Sequence, residues 1–282
     1  MATGNVTVTT AANFVPELWS SYVIEATHAN LVFGNLVDRR YEANIKRAGD
    51  TIHVPSLAAM TVGTKTAGNA VVFSVNTETM TNISVDTDSY VAIRIDNIAE
   101  VQSQEDLLKL YTNRAGYDLA TTIDIAVANL VDTITNNVGT LAVSITDDDL
   151  IRAVQYLDDA NAARIDRSWV MSPATFGDLL KIDKFVRLDY VSPGGKTAVE
   201  TAKLNHPIYG ADVYVTTQVE GDNTNGHDNV FMQKECITLV MQQEPKTYTQ
   251  FMIEYLSDAV VIEAIYGVKL MRADHGVWIK AK

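Results

Sequence analysis

Cysteine and proline are both scarce in this 282-residue chain. The single cysteine, Cys236, excludes an internal disulfide and the cysteine-rich zinc modules, and we interpret it as a small packed side chain on a strand. There are six prolines, and none lies between Pro55 and Pro173. That proline-free stretch leaves room for one long, uninterrupted helix.

Basic residues and long apolar runs are also lacking. The chain has 22 Lys and Arg against 35 Asp and Glu, a net charge of -13, and its only basic clusters are residues 39–40 and 46–47. Because non-specific DNA binding requires cations that neutralise phosphates, this balance argues against a conventional nucleic-acid binder. No apolar run approaches the roughly 20 residues of a membrane span, and the N-terminus lacks the features of a signal peptide. We therefore expect no membrane association and a protein that is made and used in a cytoplasm.

Two acidic or glycine-rich motifs have a functional and a structural interpretation. Asp147-Asp148-Asp149 could bind a divalent cation, but the spaced acidic residues and the glycine of a calcium loop are missing, so we interpret the run as the charged N-terminus of a helix. Gly195-Lys196-Thr197 ends like a phosphate-binding loop. Tyr190 stands where that loop needs its first glycine, so we predict no nucleotide site.

Catalytic constellations are absent from the sequence pattern. There is no G-x-S-x-G elbow, and Cys236 has no sequence neighbour that would activate it. The five histidines do not pair at metal-ligand spacing, and we interpret them as surface or interface residues: His28, His53, His206, His227 and His275. We predict that the protein is not an enzyme and has no metal or cofactor.

The most informative segment that is present is a threonine-rich arm over residues 41–94. It has no helical period, and its return leg alternates: Ile83, Val85, Val91, Ile93 and Ile95 share one face. This pattern predicts a two-stranded projecting loop. Since an isolated hairpin is marginally stable in water, we expect the loop to pack on a neighbouring subunit.

One long amphipathic helix is predicted over residues 98–137. Leu108, Ala115 and Leu119 begin an apolar stripe that continues through Ala126 and Leu130. Asp124 is predicted on the opposite, solvent-facing side, together with Asp106, Asn113 and Thr135. At 1.5 Å per residue this helix would span about 45–60 Å, so it should brace the structure.

Shorter elements are predicted on both sides of this arm and helix. Residues 13–17 are typical of a helix start, and Thr146 and Pro173 begin two more helices. A proline ends a short strand at residues 52–55. The other predicted strands cover residues 168–172, 208–217, 236–242, 247–255, 259–271 and 277–279. No clean linker separates these parts, so we predict subdomains that do not fold separately.

Three stretches together resemble the N-terminal region of tailed-bacteriophage major capsid proteins: residues 13–20 (NFVPELWS), 36–41 (LVDRRY) and 48–55 (AGDTIHVP). Tyr266-Gly267-Val268 is similar to the closing strand of that family. The order of the parts is also similar over nearly the whole chain. The family fold, of the HK-ninety-seven type, is shared with encapsulins and the herpesvirus capsid floor.

The resemblance implies an α+β capsid fold with four parts. Residues 1–40 would form an N-terminal arm and residues 41–95 an extended β-hairpin loop (E-loop). A long spine helix and peripheral (P) domain would cover residues 96–140, completed by 235–265. An axial (A) domain would cover residues 141–234, completed by 266–282.

The function that the resemblance implies is that of a major capsid protein. The chain would self-assemble as hexamers and pentamers into the icosahedral head shell that encloses a double-stranded DNA genome without sequence-specific binding. Its location would be the virion capsid, assembled in the cytoplasm of the bacterial host. Because few residues precede the arm, a scaffold is expected to be a separate protein, and portal and cement proteins are further candidate partners. The alternatives are an encapsulin-like compartment shell and, in another class, a soluble hydrolase or binding protein.

The candidate contacts between subunits lie in three regions. On the N-terminal side, Trp19, Tyr22 and Phe33 could form a core stripe or an interface anchor, and their place before the arm favours the interface. In the extended loop the candidates are Lys65 and Phe73, and in the loop over residues 190–203 they are Pro193, Gly194 and Gly195. Some family members crosslink a Lys to an Asn. No motif identifies an Asn partner or a catalytic Glu for Lys65, so we predict no crosslink.

Overall fold

The computed structural model describes residues 31–45, 51–57, 60–71, 73, 75, 78–96, 107–186, 207–222 and 224–282. Within these ranges the helices are α1 (Phe33–Leu36), α2 (Glu42–Ile45), α3 (Leu107–Ala128), α4 (Asp147–Asp159), α5 (Pro173–Leu179) and α6 (Asp183–Val186). The strands are β1 (Thr51–Leu57), β2 (Glu78–Ser84), β3 (Thr87–Asp96), β4 (Asn137–Gly139), β5 (Arg167–Met171), β6 (Asp212–Val215), β7 (Gly221–Asp222), β8 (Gly226–Gln233), β9 (Ile237–Met252), β10 (Ser257–Leu270) and β11 (Gly276–Ala281).

Strands β1 and β2 form an antiparallel two-stranded sheet, and we call residues 51–84 the loop hairpin. Its register runs from Thr51 opposite Ser84 to Leu57 opposite Glu78. The prediction that Pro55 ends the first strand is wrong, because β1 continues two residues beyond it. A two-stranded sheet leaves one side of each strand unpaired, where a proline without an N–H is tolerated.

The return leg of the predicted loop is split between two sheets. Only β2 pairs with β1, whereas β3 leaves the hairpin and pairs with β10 in a three-stranded antiparallel sheet of order β3-β10-β9. The predicted alternation nevertheless holds along β3: Ile95 is buried and its neighbour Arg94 is exposed. The pattern identified the faces correctly, but a period of two does not indicate which strand is the partner.

Strand β9 is a single strand of 16 residues, where two strands separated around Pro245 were predicted. The pairing with β10 shifts register between Glu263 and Ile265, opposite Lys246 and Gln243. This irregularity lies at the proline. A β-bulge leaves an unpaired residue, so the strand can include a proline without losing a ladder hydrogen bond.

Helix α3 is described from Leu107 and ends at Ala128, so its C-terminal end lies nine residues before the predicted one. Residues 97–106, where the predicted helix starts, are outside the described residues. After Ala128 the chain forms one 3-10 turn (Val131–Thr133) and then β4, which pairs in parallel with β11. Threonine and asparagine are frequent in this stretch and favour helix poorly, while Val131 and Ile134 remain buried. The 22 described helical residues span about 33 Å.

A six-stranded sheet contains β4-β11-β8-β5-β6, with β7 paired to β8. Its central strands are buried on both faces. Trp169 and Phe231 stack on one face, with ring centroids 3.8 Å apart, in a core that also contains Leu150 and Leu157 of α4. Val170 and Val230, on the other face, belong to the core that α3 shares with the three-stranded sheet. This shared core explains why no linker could be found in the sequence.

The helices around this sheet begin as predicted. Thr146 caps α4 in a capping box with Asp149, whose carboxylate accepts the Thr146 backbone N–H at 3.1 Å. Ser172 caps α5, and Pro173 occupies the first helical turn. Among the described helices, none combines the length and hydrophobicity needed to cross a membrane.

Candidate subunit interface

The far end of the loop hairpin exposes apolar side chains. Val62, Phe73 and Val75 are 94%, 91% and 95% exposed, and Met60 and Val71 are also exposed. Soluble monomers rarely present so many apolar side chains along one segment, and such clusters are typical of interaction sites. Lys65 lies in the same exposed segment. The structure therefore brings two predicted contact residues, Lys65 and Phe73, into one projecting segment.

The described part of the loop hairpin is buried at its base. Ile83 and Val85 are buried there against Ile45 and Val240. At the same place the chain crosses β10 at Gly267, where an added Cβ would lie only 2.1 Å from the Ser84 carbonyl oxygen. The absence of a side chain at Gly267 is therefore required for this close approach.

Ion pairs lie beside the base of the hairpin. Arg40 contacts Asp38 at 2.8 Å and Glu235 at 3.2 Å, and Arg272 contacts Glu235 at 3.4 Å. The hydrogen bond from Arg40 to Asp38 raises the pKa of the guanidinium, although burial acts in the opposite direction. Both arginines are more than half exposed, so these pairs contribute little stability and mainly orient the segment.

A second exposed apolar surface was missed by the sequence analysis. It lies at the turn that joins β9 and β10, and we call residues 248–256 the hairpin tip. Ile253 and Leu256 are 79% and 64% exposed, and Tyr248, Phe251 and Tyr255 are also exposed. A signal was available, because Ile253, Tyr255 and Leu256 occupy the turn itself, where polar residues and glycine are usual. The sequence pattern predicted a strand over residues 247–255 instead.

Phe33 differs from the expectation of an interface anchor. Its side chain is fully buried in the protein's own core, between α1 and α3. It fills that space because α1 docks on the apolar stripe of α3, so the side chain is not available to a neighbour. The other predicted contacts, Trp19, Tyr22, Pro193, Gly194 and Gly195, lie outside the described residues.

Asp124 was predicted on the solvent side of the long helix, and this prediction is wrong. It is only 3% exposed, and its two carboxylate oxygens accept the backbone N–H groups of Val32 at 3.1 Å and Gly34 at 2.8 Å. Burial raises the pKa of Asp124, and these N–H groups partly offset that effect. The helix thus holds residues 32–34 through a carboxylate.

Asp147 has partners beyond the helix that it begins. Its carboxylate accepts a hydrogen bond from the Tyr209 hydroxyl at 2.6 Å and pairs with the Lys184 ammonium. The bond from Lys184, followed by that from Tyr209, lowers the pKa of Asp147. The contacts tie α4 to α6 and to the turn before β6.

The described residues offer little for catalysis. Burial raises the pKa of Cys236 to about 12, so the thiol stays protonated at neutral pH and is a poor nucleophile. No group of three or more His, Cys, Asp or Glu side chains within the described ranges is arranged to hold a metal ion. The prominent surface features of the described residues are the exposed apolar side chains of the loop hairpin and the hairpin tip.

Comparisons with known proteins give structural matches only. No protein-family model matches the chain, and no curated protein matches it significantly. A solved structure from Mycobacterium phage Che8 matches with a TM-score of 0.83 at 23% identity, over 95% of this chain and 97% of that one. The capsid of cyanophage P-SCSP1u matches with a TM-score of 0.77 at 15% identity, over 97% and 94%. The mature capsid of bacteriophage PhiM1 matches with a TM-score of 0.75 at 14% identity, over 94% and 91%.

These likenesses extend over nearly the full length of both partners in each pair. The matches are to phage structures and do not favour the encapsulin-like alternative. The chain has the α+β fold of phage capsid proteins, as its sequence motifs predicted.

Proposed function

We propose that this chain is the major capsid protein of a tailed bacteriophage. The observation that carries the proposal is the likeness to whole phage capsid structures along nearly the entire chain. Its role is structural and not enzymatic. The shell would be icosahedral, built from hexamers and pentamers, and the protein would be located in the virion capsid after assembly in the host cytoplasm.

The sheets support a division of the chain into the four capsid parts. Residues 1–40 would form the N-terminal arm and residues 41–95 the extended loop. Helix α3 and the three-stranded sheet would form the peripheral domain, over residues 96–140 and 235–265. The six-stranded sheet would form the axial domain, over residues 141–234 and 266–282. Because β10 continues to Leu270, the second part of the peripheral domain would end after Leu270 and not at residue 265.

Assembly would be driven by the apolar surfaces that the monomer leaves exposed. Fully burying an apolar side chain such as Phe73 or Val75 contributes about 1.5–3 kcal/mol, so the far end of one loop hairpin can supply several kcal/mol. The loop hairpin would lie on a neighbouring subunit. The loop over residues 190–203 would contribute contacts near the centre of each hexamer or pentamer.

The charge of the chain suits a container that does not hold its contents tightly. With a net charge of -13, the subunit would enclose double-stranded DNA without sequence-specific binding. A separate scaffold, a portal and cement proteins would be its other partners. In particles recovered with their natural contents we expect DNA, whereas protein cargo would favour an encapsulin-like shell.

The loop hairpin provides the direct test. Leu57 and Glu78 are the last paired residues of β1 and β2, so residues 58–77 can be replaced by an Asn-Gly turn that joins the strands. We expect this variant to fold, because the buried base is unchanged, and to form no closed particles in negative-stain micrographs. A matched control replaces residues 224–225, in the turn between β7 and β8 of the six-stranded sheet, by Asn-Gly.

Two outcomes would contradict the proposal. Normal particles from the shortened variant would show that the loop hairpin is not needed for contacts between subunits. A full-length chain that stays monomeric in sedimentation at every concentration, even with a crowding polymer, would argue against a shell protein altogether.

A further inference from the structure

A buried carboxylate on α3 holds residues 32–34, near the end of the proposed N-terminal arm. Both oxygens of Asp124 are used, one by the Val32 N–H and the other by the Gly34 N–H. Val32 and Phe33 are buried, and at the start of α1 their N–H groups have no partner within that helix. The carboxylate therefore acts as a cap supplied by another helix, 92 residues away from Val32.

Burying the Asp124 carboxylate costs more free energy than a contact that only stabilises the fold would require. Asp124 is 3% exposed, and the groups that hydrogen-bond its carboxylate are backbone N–H groups. Its raised pKa means that burial outweighs the hydrogen bonds, so the folded protein disfavours the charge. A neutral hydroxyl or amide could accept an N–H at lower cost. An energetically costly interaction of this kind is expected where the position of a segment must be fixed.

The next residues are clamped as well. The Asp38 N–H donates to the Ile237 carbonyl oxygen and the Leu239 N–H donates to the Asp38 carbonyl oxygen, both at 3.0 Å. The segment from Val32 to Asp38 is thus fixed at one end to α3 and at the other to β9.

We propose that Asp124 is a positioning residue that fixes residues 32–38 of the proposed N-terminal arm, and hence which part of a second copy this arm contacts. This inference rests on the proposed capsid function. It predicts that loss of the carboxylate impairs assembly more than its effect on stability would explain. Arg39 and Glu244 are the other charged residues that line the cleft beside Asp124.

The test compares Asp124→Asn and Asp124→Ala with a matched control, Asp178→Asn. Asp178 is also a buried carboxylate, but it pairs with Lys181 near the six-stranded sheet. In hydrogen exchange on the full-length protein, we expect protection of the Val32 and Gly34 amides to fall about ten- to a hundredfold in Asp124→Ala. Asp124→Asn keeps one acceptor oxygen, so its amide protection should lie between that of wild type and that of Asp124→Ala.

The pH dependence of the unfolding free energy separates this role from simple packing. Because the folded pKa of Asp124 is raised, wild type gains stability relative to Asp124→Asn as the pH falls from neutral through that pKa, down to the ordinary value near 4. The assembly readout is the yield of closed particles. We expect a loss of about tenfold or more for Asp124→Ala and near-normal yield for Asp178→Asn at a similar melting temperature.

Each outcome is informative. If Asp124→Ala loses amide protection and still assembles normally, the positioning role is wrong, although the anchor exists. If both variants assemble in proportion to their melting temperatures, the effect is one of stability and the inference also fails. If wild type itself forms no particles, it is the proposed function that fails.

Discussion

Replacing Gly267 by alanine tests whether one close backbone contact sets the position of the loop hairpin. An alanine Cβ would lie 2.1 Å from the Ser84 carbonyl oxygen and 3.0 Å from the Val85 Cα. Real Cβ atoms keep about 3.0 Å or more from such neighbours, so β2 and β10 must separate by about 0.9 Å. Backbone cannot rotate away as a flexible side chain does.

The expected stability loss is moderate. Overpacking of this kind costs about 1–3 kcal/mol, and the lower backbone entropy of alanine offsets about 0.5–1 kcal/mol. A net loss of about 1–2 kcal/mol would lower the melting temperature by roughly 2–8 °C. The effect on geometry is larger. The seven residues of β1 form a lever of about 24 Å, so a tilt of about 5° at the base moves the far end by about 2 Å.

Gly276→Ala is the matched control. Its Cβ would lie 2.6 Å from the Cys236 sulfur and 3.0 Å from the Ile134 Cδ1, so it overpacks a core without touching the loop hairpin. Thermal unfolding and particle yield are measured for both variants. We expect similar melting temperatures, with assembly lost only in Gly267→Ala. Equal assembly by the two variants, or a wild-type melting temperature for Gly267→Ala, would refute this reasoning.

Two further predictions concern the hairpin tip and an acid-sensitive ion pair. Ile253→Ser combined with Leu256→Ser should change the unfolding free energy by less than about 0.5 kcal/mol, because both side chains are exposed in the monomer. The same double variant should reduce the particle yield. Unchanged assembly would show that the hairpin tip is not a contact between subunits. Asp158→Asn should cost about 1–3 kcal/mol at pH 7 in urea unfolding, because Asp158 pairs at 2.8 Å with the buried Arg167. The bond from Arg167 lowers the folded pKa of Asp158, so its contribution is present above the unfolded value near 4 and disappears as the pH falls through the folded pKa. The free energy of unfolding should therefore fall less at acid pH in Asp158→Asn than in wild type. Equal slopes of unfolding free energy against pH in the two proteins would contradict the assignment.

Local patterns predicted the local elements well. The Thr146 cap, the proline that begins α5 and the alternation along β3 depend on neighbouring residues, and all were found as expected. The chain order of these elements, with three short motifs, also indicated the capsid fold. What failed were features that depend on distant partners, such as the transfer of the return leg from β1 to β10.

The errors at single residues have the same origin. Asp124 is polar and was placed on the solvent side, yet α1 covers it and supplies two N–H donors from another part of the chain. Phe33 was interpreted as an interface anchor, in preference to a core residue, because it precedes the arm, yet it is buried in the core with α3. The hairpin tip was missed because helical and strand periods carry no information about turns. For Asp124 and Phe33 the deciding contact joins residues far apart in sequence.

Two buried polar groups among the described residues hold separate parts of the backbone in place. Asn229 is fully buried, accepts the Ser172 N–H at 2.7 Å and donates to Thr175 at 3.0 Å. The Thr175 hydroxyl in turn donates to the carbonyl oxygen of Lys282 at 3.0 Å. Asp124 likewise holds the backbone at Val32 and Gly34. Both contacts join residues far apart in sequence, as expected of a proposed shell subunit whose contact segments must meet those of its neighbours in one geometry.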